Sequence, residues 1–188
     1  SIAKEKGLEP LADAIFAQTA DSASPAELAA DYIDAEKGVE TAEDAINGAM
    51  DIIAENISDD ADIRHRLRSL FTVAGVLQSR AADSEKESVY TMYYEYDEPI
   101  NKIAGHRVLA VNRGENEGFL KVGIDVDRIK ALNIINANVL SDNGSACTDI
   151  VRDAAADAYD RLIFPSVERE IRNMITDSAV ESALKVFY

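Results

Sequence analysis

The chain has 188 residues, 47% of them hydrophobic, enough to bury a substantial core in one domain or two, and this composition excludes a disordered chain. Lys and Arg number 19 against 35 Asp and Glu, a formal charge of −16, so the surface as a whole repels a phosphate backbone. The one cysteine, Cys147, excludes an internal disulfide and a multi-cysteine zinc site.

Helix signals dominate from the start. In "EPLADAIFAQ" Pro10 suits a first helical turn, and Leu11, Ile15 and Phe16 are expected to share a face. In "SPAELAADYI" Ser24 is the expected N-cap, with Pro25 at N1 and Glu27 at N3 completing a capping box. "TAEDAINGAMDIIAENI" starts on Thr41 with an acidic first turn at Glu43 and Asp44. It then repeats Ile46, Ala49, Met50, Ile53 and Ile57 at one-face spacing. "SDDADIRHRLRSLFTVAG" follows at once, with Ser58 as expected cap and Ile63, Leu67, Leu70, Phe71 and Ala74 inward. The pair reads as a helical hairpin with a very short connection.

Between Gln78 and Asn101 the periodicity weakens. "VYTMYYEY" is the aromatic cluster of the chain and reads as either strand or helix. Tyr90, Tyr93, Tyr94 and Tyr96 offer a stacking surface for bases, but no Lys or Arg is interleaved, and packing over the core edge is the favoured reading. "PINKIAGHRVLAV" returns to helical spacing. Gly114 and Gly118 are expected to bracket a turn, from which "FLKVGIDV" leaves as a short strand within residues 119–125 with Leu120, Val122 and Ile124 on one side. "DRIKALNIINANVL" is helical again, capped by Asp127. Two helices follow, the first ending at Phe164 because Pro165 cannot continue it, the second restarting with Pro165 at N1. The fold class expected is mainly α, a multi-helical scaffold with that one short β element. Two regions are expected: an N-terminal helical segment over 1–80 and a helical core over 81–188.

Catalytic and metal chemistry find little footing. His65 in "RHRLR" lies among Arg64, Arg66 and Arg68, which scatter round a helix and form no phosphate-facing row. His106 has no serine or cysteine nucleophile motif around it. "DVD" at Asp125 to Asp127 and "SDNG" at Ser141 to Gly144 lack the spacing of a calcium loop and read as a helix cap and a turn. No enzyme activity, cofactor or metal is expected. The stretch "HRVLAVNRG" reads as a structural joint, with Arg107 and Arg113 as contacts to another domain or to nucleic acid as the alternative.

The chain lacks an N-terminal basic-then-apolar segment, which fits a cytoplasmic protein. Its longest apolar stretches, such as "LFTVAGVL" from Leu70, fall far short of the roughly 20 residues that cross a bilayer, so no membrane partner is expected. It opens without methionine and stops at "KVFY" with a helical pattern still running, as a fragment of a longer protein would.

Several stretches, in order, resemble one family. "AKEKGLEPLAD" (3–13), "SPAELAADYI" (24–33), "TAEDAINGAMDIIAENISDDADIRHRLR" (41–68), "YDEPINKIAGHRVLAVNRGENEGFLKV" (96–122) and "DAYDRLIFPSVEREIRNMITDSAVESALKVF" (157–187) are similar to the bacterial Tex proteins. The resemblance implies a transcription accessory protein, related to a eukaryotic elongation factor, in which a helical scaffold surrounds an RNase H-like YqgF domain, a helix-hairpin-helix element and a C-terminal OB-fold. This chain then corresponds to the N-terminal helical part, leading into a YqgF-like domain. RNA or DNA would be bound through domains outside it, and transcription machinery is a further expected partner. The rival readings are an acidic helical adaptor for transcription or RNA-processing machinery, and an accessory domain of a nuclease.

The last expectation concerns the C-terminal helix. Val167, Ile171, Met174, Ile175, Ala179, Ala183, Leu184 and Phe187 recur at helical spacing almost to the end. That end is expected to be either frayed or covered by a second copy in a homodimer.

Overall fold

The computed structural model describes residues 1–186 and is mainly helical, with one three-stranded antiparallel sheet. It divides into two compact units, each drawn from segments distant in sequence. Unit 1 is Ser1–Arg64 with Leu132–Phe164, and unit 2 is His65–Ala131 with Pro165–Tyr188. The boundary expected near residue 80 therefore falls inside unit 2. Helix periodicity is a local signal, whereas membership of a compact unit is decided by packing between segments far apart.

Unit 1 holds α1 (Ile2–Glu5), α2 (Glu9–Ala17), α3 (Pro25–Ala30) and α4 (Ala42–Ser58). The first turn of α5 (Ala61–Ala74), most of α7 (Arg128–Val139) and α8 (Thr148–Asp157) complete it, α8 continuing as a π-helical stretch over Ala158–Ile163. Ser24 Oγ accepts from Glu27 N–H and Thr41 Oγ1 from Asp44 N–H, so both expected caps form. On α4 the fully buried positions Ala45, Ala49 and Ala54 are small, as are Ala154 and Ala155 on α8, and the two helices pack closely. Leu11, Ile15, Ile52, Ile53, Val151 and Ile163 fill the remaining space, each completely buried side chain contributing about 1.5–3 kcal/mol.

Several details depart from the sequence expectation. Phe16 is 43% exposed and does not join Leu11 and Ile15 in the core. Ser58 is the last residue of α4, and the cap of α5 is Asp60, whose Oδ1 accepts from Ile63 N–H at 2.9 Å. Only Asp59 and Asp60 separate the two helices, but α5 passes into unit 2 after its first turn, and the two do not pack on each other as the expected hairpin would. Nor does Pro165 end a helix, because α9 (Phe164–Lys185) starts one residue before it. Phe164 N–H bonds back five residues to the Tyr159 carbonyl, and the wide π turns leave room for a ring that supplies no N–H.

Unit 2 is built on the sheet. Strands β1 (Val76–Ala81), β2 (Glu95–Pro99) and β3 (Leu120–Asp125) stand in the order β2-β1-β3, both pairings antiparallel. Only β3 was expected. On β1, Leu77 and Ser79 are fully buried, and Ser79 Oγ donates to the Tyr93 carbonyl at 2.7 Å. The rest of α5 contributes Leu67 and Phe71 to this core, while Ala74, expected inward, is exposed. Helix α6 (Gly105–Asn116) adds Val108 and Val111, and α9 adds Val167 and Ile171.

Gly114 lies within α6 and not at a turn. A Cβ there would sit 2.5 Å from Leu120 Cδ1, so the glycine lets β3 approach the helix. The turn is made by Gly118 alone, at φ +82°, with Gly118 N–H on the Glu115 carbonyl and Phe119 N–H on the Gly114 carbonyl. A stricter limit applies at Gly75, between α5 and β1, where a Cβ would come within 2.2 Å of the Phe71 carbonyl oxygen. Gly75→Ala is expected to cost about 2 kcal/mol, read as a lower urea midpoint with an unchanged slope.

The outer edge of β3 is closed by α9. Glu168 Oε2 accepts from Ile124 N–H at 2.8 Å, and Arg172 Nη1 reaches the Val122 carbonyl at 3.5 Å. One carboxylate and one guanidinium, four residues apart on a helix, thus take a donor and an acceptor that a fourth strand would otherwise take.

Candidate nucleic-acid interface

The five arginines singled out from the sequence have different fates. Arg64 serves the C-terminal end of α4: its Nε donates to the Ser58 carbonyl and Nη2 to Ser58 Oγ at 3.0 Å, satisfying an end-of-helix oxygen. Arg68 pairs with Glu170, Nε to Oε2 at 2.6 Å, both side chains about two-fifths exposed. Arg66, two residues from each, points to another side of α5 and is exposed. On α6, Arg107 lies over the Tyr96 ring, its guanidinium carbon 5.6 Å from the centroid. Arg113 is exposed in the last turn of that helix. Six residues separate the two on α6, about 240° of helix rotation, so they do not share a face. The structure therefore brings the five together in no continuous basic row.

The tyrosines are largely consumed by packing. Tyr90 and Tyr93 are each 5% exposed. Tyr90 lies against Phe119 with centroids 5.8 Å apart, and Tyr93 meets Tyr96 edge to face at 5.2 Å. Tyr94 Oη contacts Ser88 Oγ at 2.9 Å and donates to the Lys86 carbonyl. Burial is the main influence raising the Tyr96 phenol above its ordinary pKa, reinforced by Glu98 and opposed by Arg107. Cations absent from the immediate sequence neighbourhood do reach this cluster: Arg107 over Tyr96 from α6, and Lys86 5.0 Å over the Phe119 ring.

His65 and His106 are exposed, and Cys147 is buried with Sγ 3.2 Å from Ser22 Oγ. Asp127 caps α7 as expected, its Oδ1 accepting from Ile129 N–H at 2.9 Å. "SDNG" is a turn, with Gly144 at φ +75° and Asn143 Oδ1 accepting from Ser145 N–H. Among the described residues no group of three or more His, Cys, Asp and Glu is placed to hold a metal ion. No helix among them is long and apolar enough to cross a membrane.

Sequence reasoning missed a polar network in unit 2. Arg172, its side chain 19% exposed, donates to Asn112 Oδ1 at 2.7 Å and meets Glu115 Oε1 at 2.9 Å. Asn112 Nδ2 donates in turn to Thr176 Oγ1 at 2.9 Å. These residues floor an open groove of about 500 Å³ between α6 and α9, with Asn116, Arg169 and Asn173 on its walls. The four-residue spacing of Glu168 and Arg172 was its one visible trace.

Charge is partitioned as sharply as the fold. Unit 1 carries 21 carboxylates against six Lys and Arg, a net −15, while unit 2 carries 14 against 13, a net −1. The repulsion of polyanions inferred for the whole chain is thus a property of unit 1, and four of the five candidate arginines lie in unit 2.

A sequence model described as Tex central region-like matches residues 20–187. The chain belongs to the Tex family. Its relatives include YdcI of Bacillus subtilis, 44% identical over 192 residues, covering all of this chain and 26% of that protein. The transcriptional accessory protein Tex of Neisseria gonorrhoeae is 29% identical over 199 residues, covering 99% of this chain and 25% of its own length. A human protein named S1 RNA-binding domain-containing protein 1 is 28% identical over 201 residues, covering 98% of this chain and 20% of itself. This Tex chain spans about a quarter or less of the length of these curated relatives.

Proposed function

We propose that the chain is the helical scaffold segment of a Tex-like transcription accessory factor in the cytoplasm, without catalysis of its own, and that RNA or DNA is bound by parts of the protein outside it. The match of the Tex central region over residues 20–187 carries this reading. One relative is named a transcriptional accessory protein and another for an RNA-binding domain, and this chain covers a quarter or less of either. The absence of catalysis is supported by the placement of the reactive side chains: Cys147 is buried in unit 1 against Ser22, while His65 and His106 are exposed in unit 2.

The division of labour is testable by gel shift. The isolated chain is expected to bind single-stranded RNA and duplex DNA only above micromolar concentration at physiological salt, since no row of cations is available for counterion release. Sub-micromolar binding that weakens steeply with salt would overturn it and direct attention first to Arg64, Arg66, Arg68, Arg107 and Arg113.

A second reading, an acidic adaptor that recruits a basic partner, is favoured by the net −15 of unit 1.

A further inference from the structure

The two edges of the sheet are treated differently. That of β3 is closed by Glu168 and Arg172 of α9. The register fixes what the other edge presents. Ile100 N–H bonds to the Gly75 carbonyl and Ala81 N–H to the Tyr94 carbonyl, so residues 94, 96, 98 and 100 turn their backbone groups toward β1. Glu95 and Asp97 then turn theirs outward. No backbone or side-chain bond occupies the N–H or C=O of either residue among the described residues, and both residues are exposed. The carbonyl of Pro99 ends this open segment, being taken by Lys102 and Ile103 N–H.

We infer that the β2 edge is a docking site for an extended, basic protein segment, which adds to the sheet as a fourth strand through the backbone of Glu95 and Asp97. Main-chain pairing supplies the attachment in this mode of recognition, and side chains choose the partner. Here the choice is made by "EYDEP", with Glu95, Asp97 and Glu98 in five residues. Asp97 is partly neutralised by Arg80, 2.8 Å away on β1, and this hydrogen bond raises the Arg80 guanidinium further above its ordinary pKa. Glu95 acts on Arg80 only through space, and neither Glu95 nor Glu98 forms an ion pair among the described residues. Two copies of β2 laid edge to edge would set carboxylates against carboxylates, which disfavours a second copy of this chain. A polynucleotide meets the same repulsion and has no strand to offer. A segment with Lys or Arg at alternate positions places cations beside Glu95 and Asp97 while its backbone pairs. This inference does not depend on the proposed scaffold role.

The test is amide-resolved titration of the isotope-labelled chain with a short peptide alternating lysine and valine. The expected result is slowed hydrogen exchange at the Glu95 and Asp97 amides, with binding that weakens as salt is raised. Glu95→Pro removes the outward N–H without touching a β1 bond, and is expected to reduce binding at least tenfold while β1 and β3 amides keep their protection. Should that variant fail to fold, Glu95→Lys retains the N–H and is expected to weaken the lysine peptide tenfold and to favour a glutamate–valine peptide instead. Binding mapped to the carboxylates of unit 1, with Glu95 and Asp97 exchanging as in the free chain, would overturn the inference, as would absence of binding or equal binding of both peptides.

Discussion

Replacing Gln18 by alanine is expected to destabilise unit 1 by about 3 kcal/mol, a large effect for one residue between two elements. Gln18 is 3% exposed and follows α2 in a left-handed conformation, φ 47°. Its Nε2 donates to the Phe16 carbonyl at 3.0 Å and to the Val139 carbonyl at 2.9 Å, and its Oε1 accepts from Ser141 N–H at 2.9 Å. Asn143 Nδ2 donates to its backbone carbonyl at 2.8 Å. One side chain thus ties the end of α2 to the end of α7, more than 120 residues away in sequence. Alanine strands the Ser141 donor and the Val139 acceptor at about 1 kcal/mol or more each, and keeps the positive-φ strain that glutamine already carries. Gln18→Gly removes the same bonds without that strain and is expected to cost about 1 kcal/mol less. Urea unfolding followed by amide exchange at Ile52 and Ile53 measures both, and an alanine variant within about 0.5 kcal/mol of the parent would refute the assignment.

The second large effect is expected at Arg172. Alanine there leaves Glu115 and Asn112 facing each other without their common donor and frees the Val122 carbonyl on the β3 edge. Glu115 remains about one-third exposed, so solvent screening limits the loss to about 2–3 kcal/mol. Arg172→Lys keeps the charge but not the planar fork and is expected to lose about half of that. In a double-mutant cycle with Glu115→Gln the coupling is expected near 1 kcal/mol, and strictly additive losses would show that the two groups do not act together.

Much of the helical fold was legible because its signals are local. Ser24 and Thr41 cap as their spacing implies, Asp127 caps α7, and the Ala49, Ile53 and Ile57 stripe of α4 is buried. Ile46 and Met50, assigned to the same stripe, are only half-buried, because the inward face of α4 is centred on its alanines. β1 and β2 were not legible. "VLQSRA" continues the apolar run of α5, and "EYDEP" is acidic and ends in proline, so neither has strand propensity without its partner. Of the C-terminal stripe, Val167, Ile171 and Ala179 are buried as expected, whereas Met174 is 45% and Leu184 56% exposed. Phe187, which shared that expectation, lies outside the described residues. The candidate arginines were visible as residue types, but their partners were not. Glu170 stands 102 residues from Arg68, and only the fold reveals that their charges meet.

The discontinuous make-up of the two units governs the order in which the chain can fold during synthesis. When residue 131 has been made, α2 and α4 are complete but α8, against which both pack, does not yet exist. Unit 2 at that moment has its sheet but lacks α9. Every closing contact of unit 1 spans the whole of residues 65–131, a sequence separation that slows folding. Leu11, Ile15, Ile52 and Ile53 can be covered in part by packing of α2 on α4, but the side that α8 closes stays open until Phe164 is reached, for the seconds that translation needs, and is a surface prone to wrong contacts in the nascent chain.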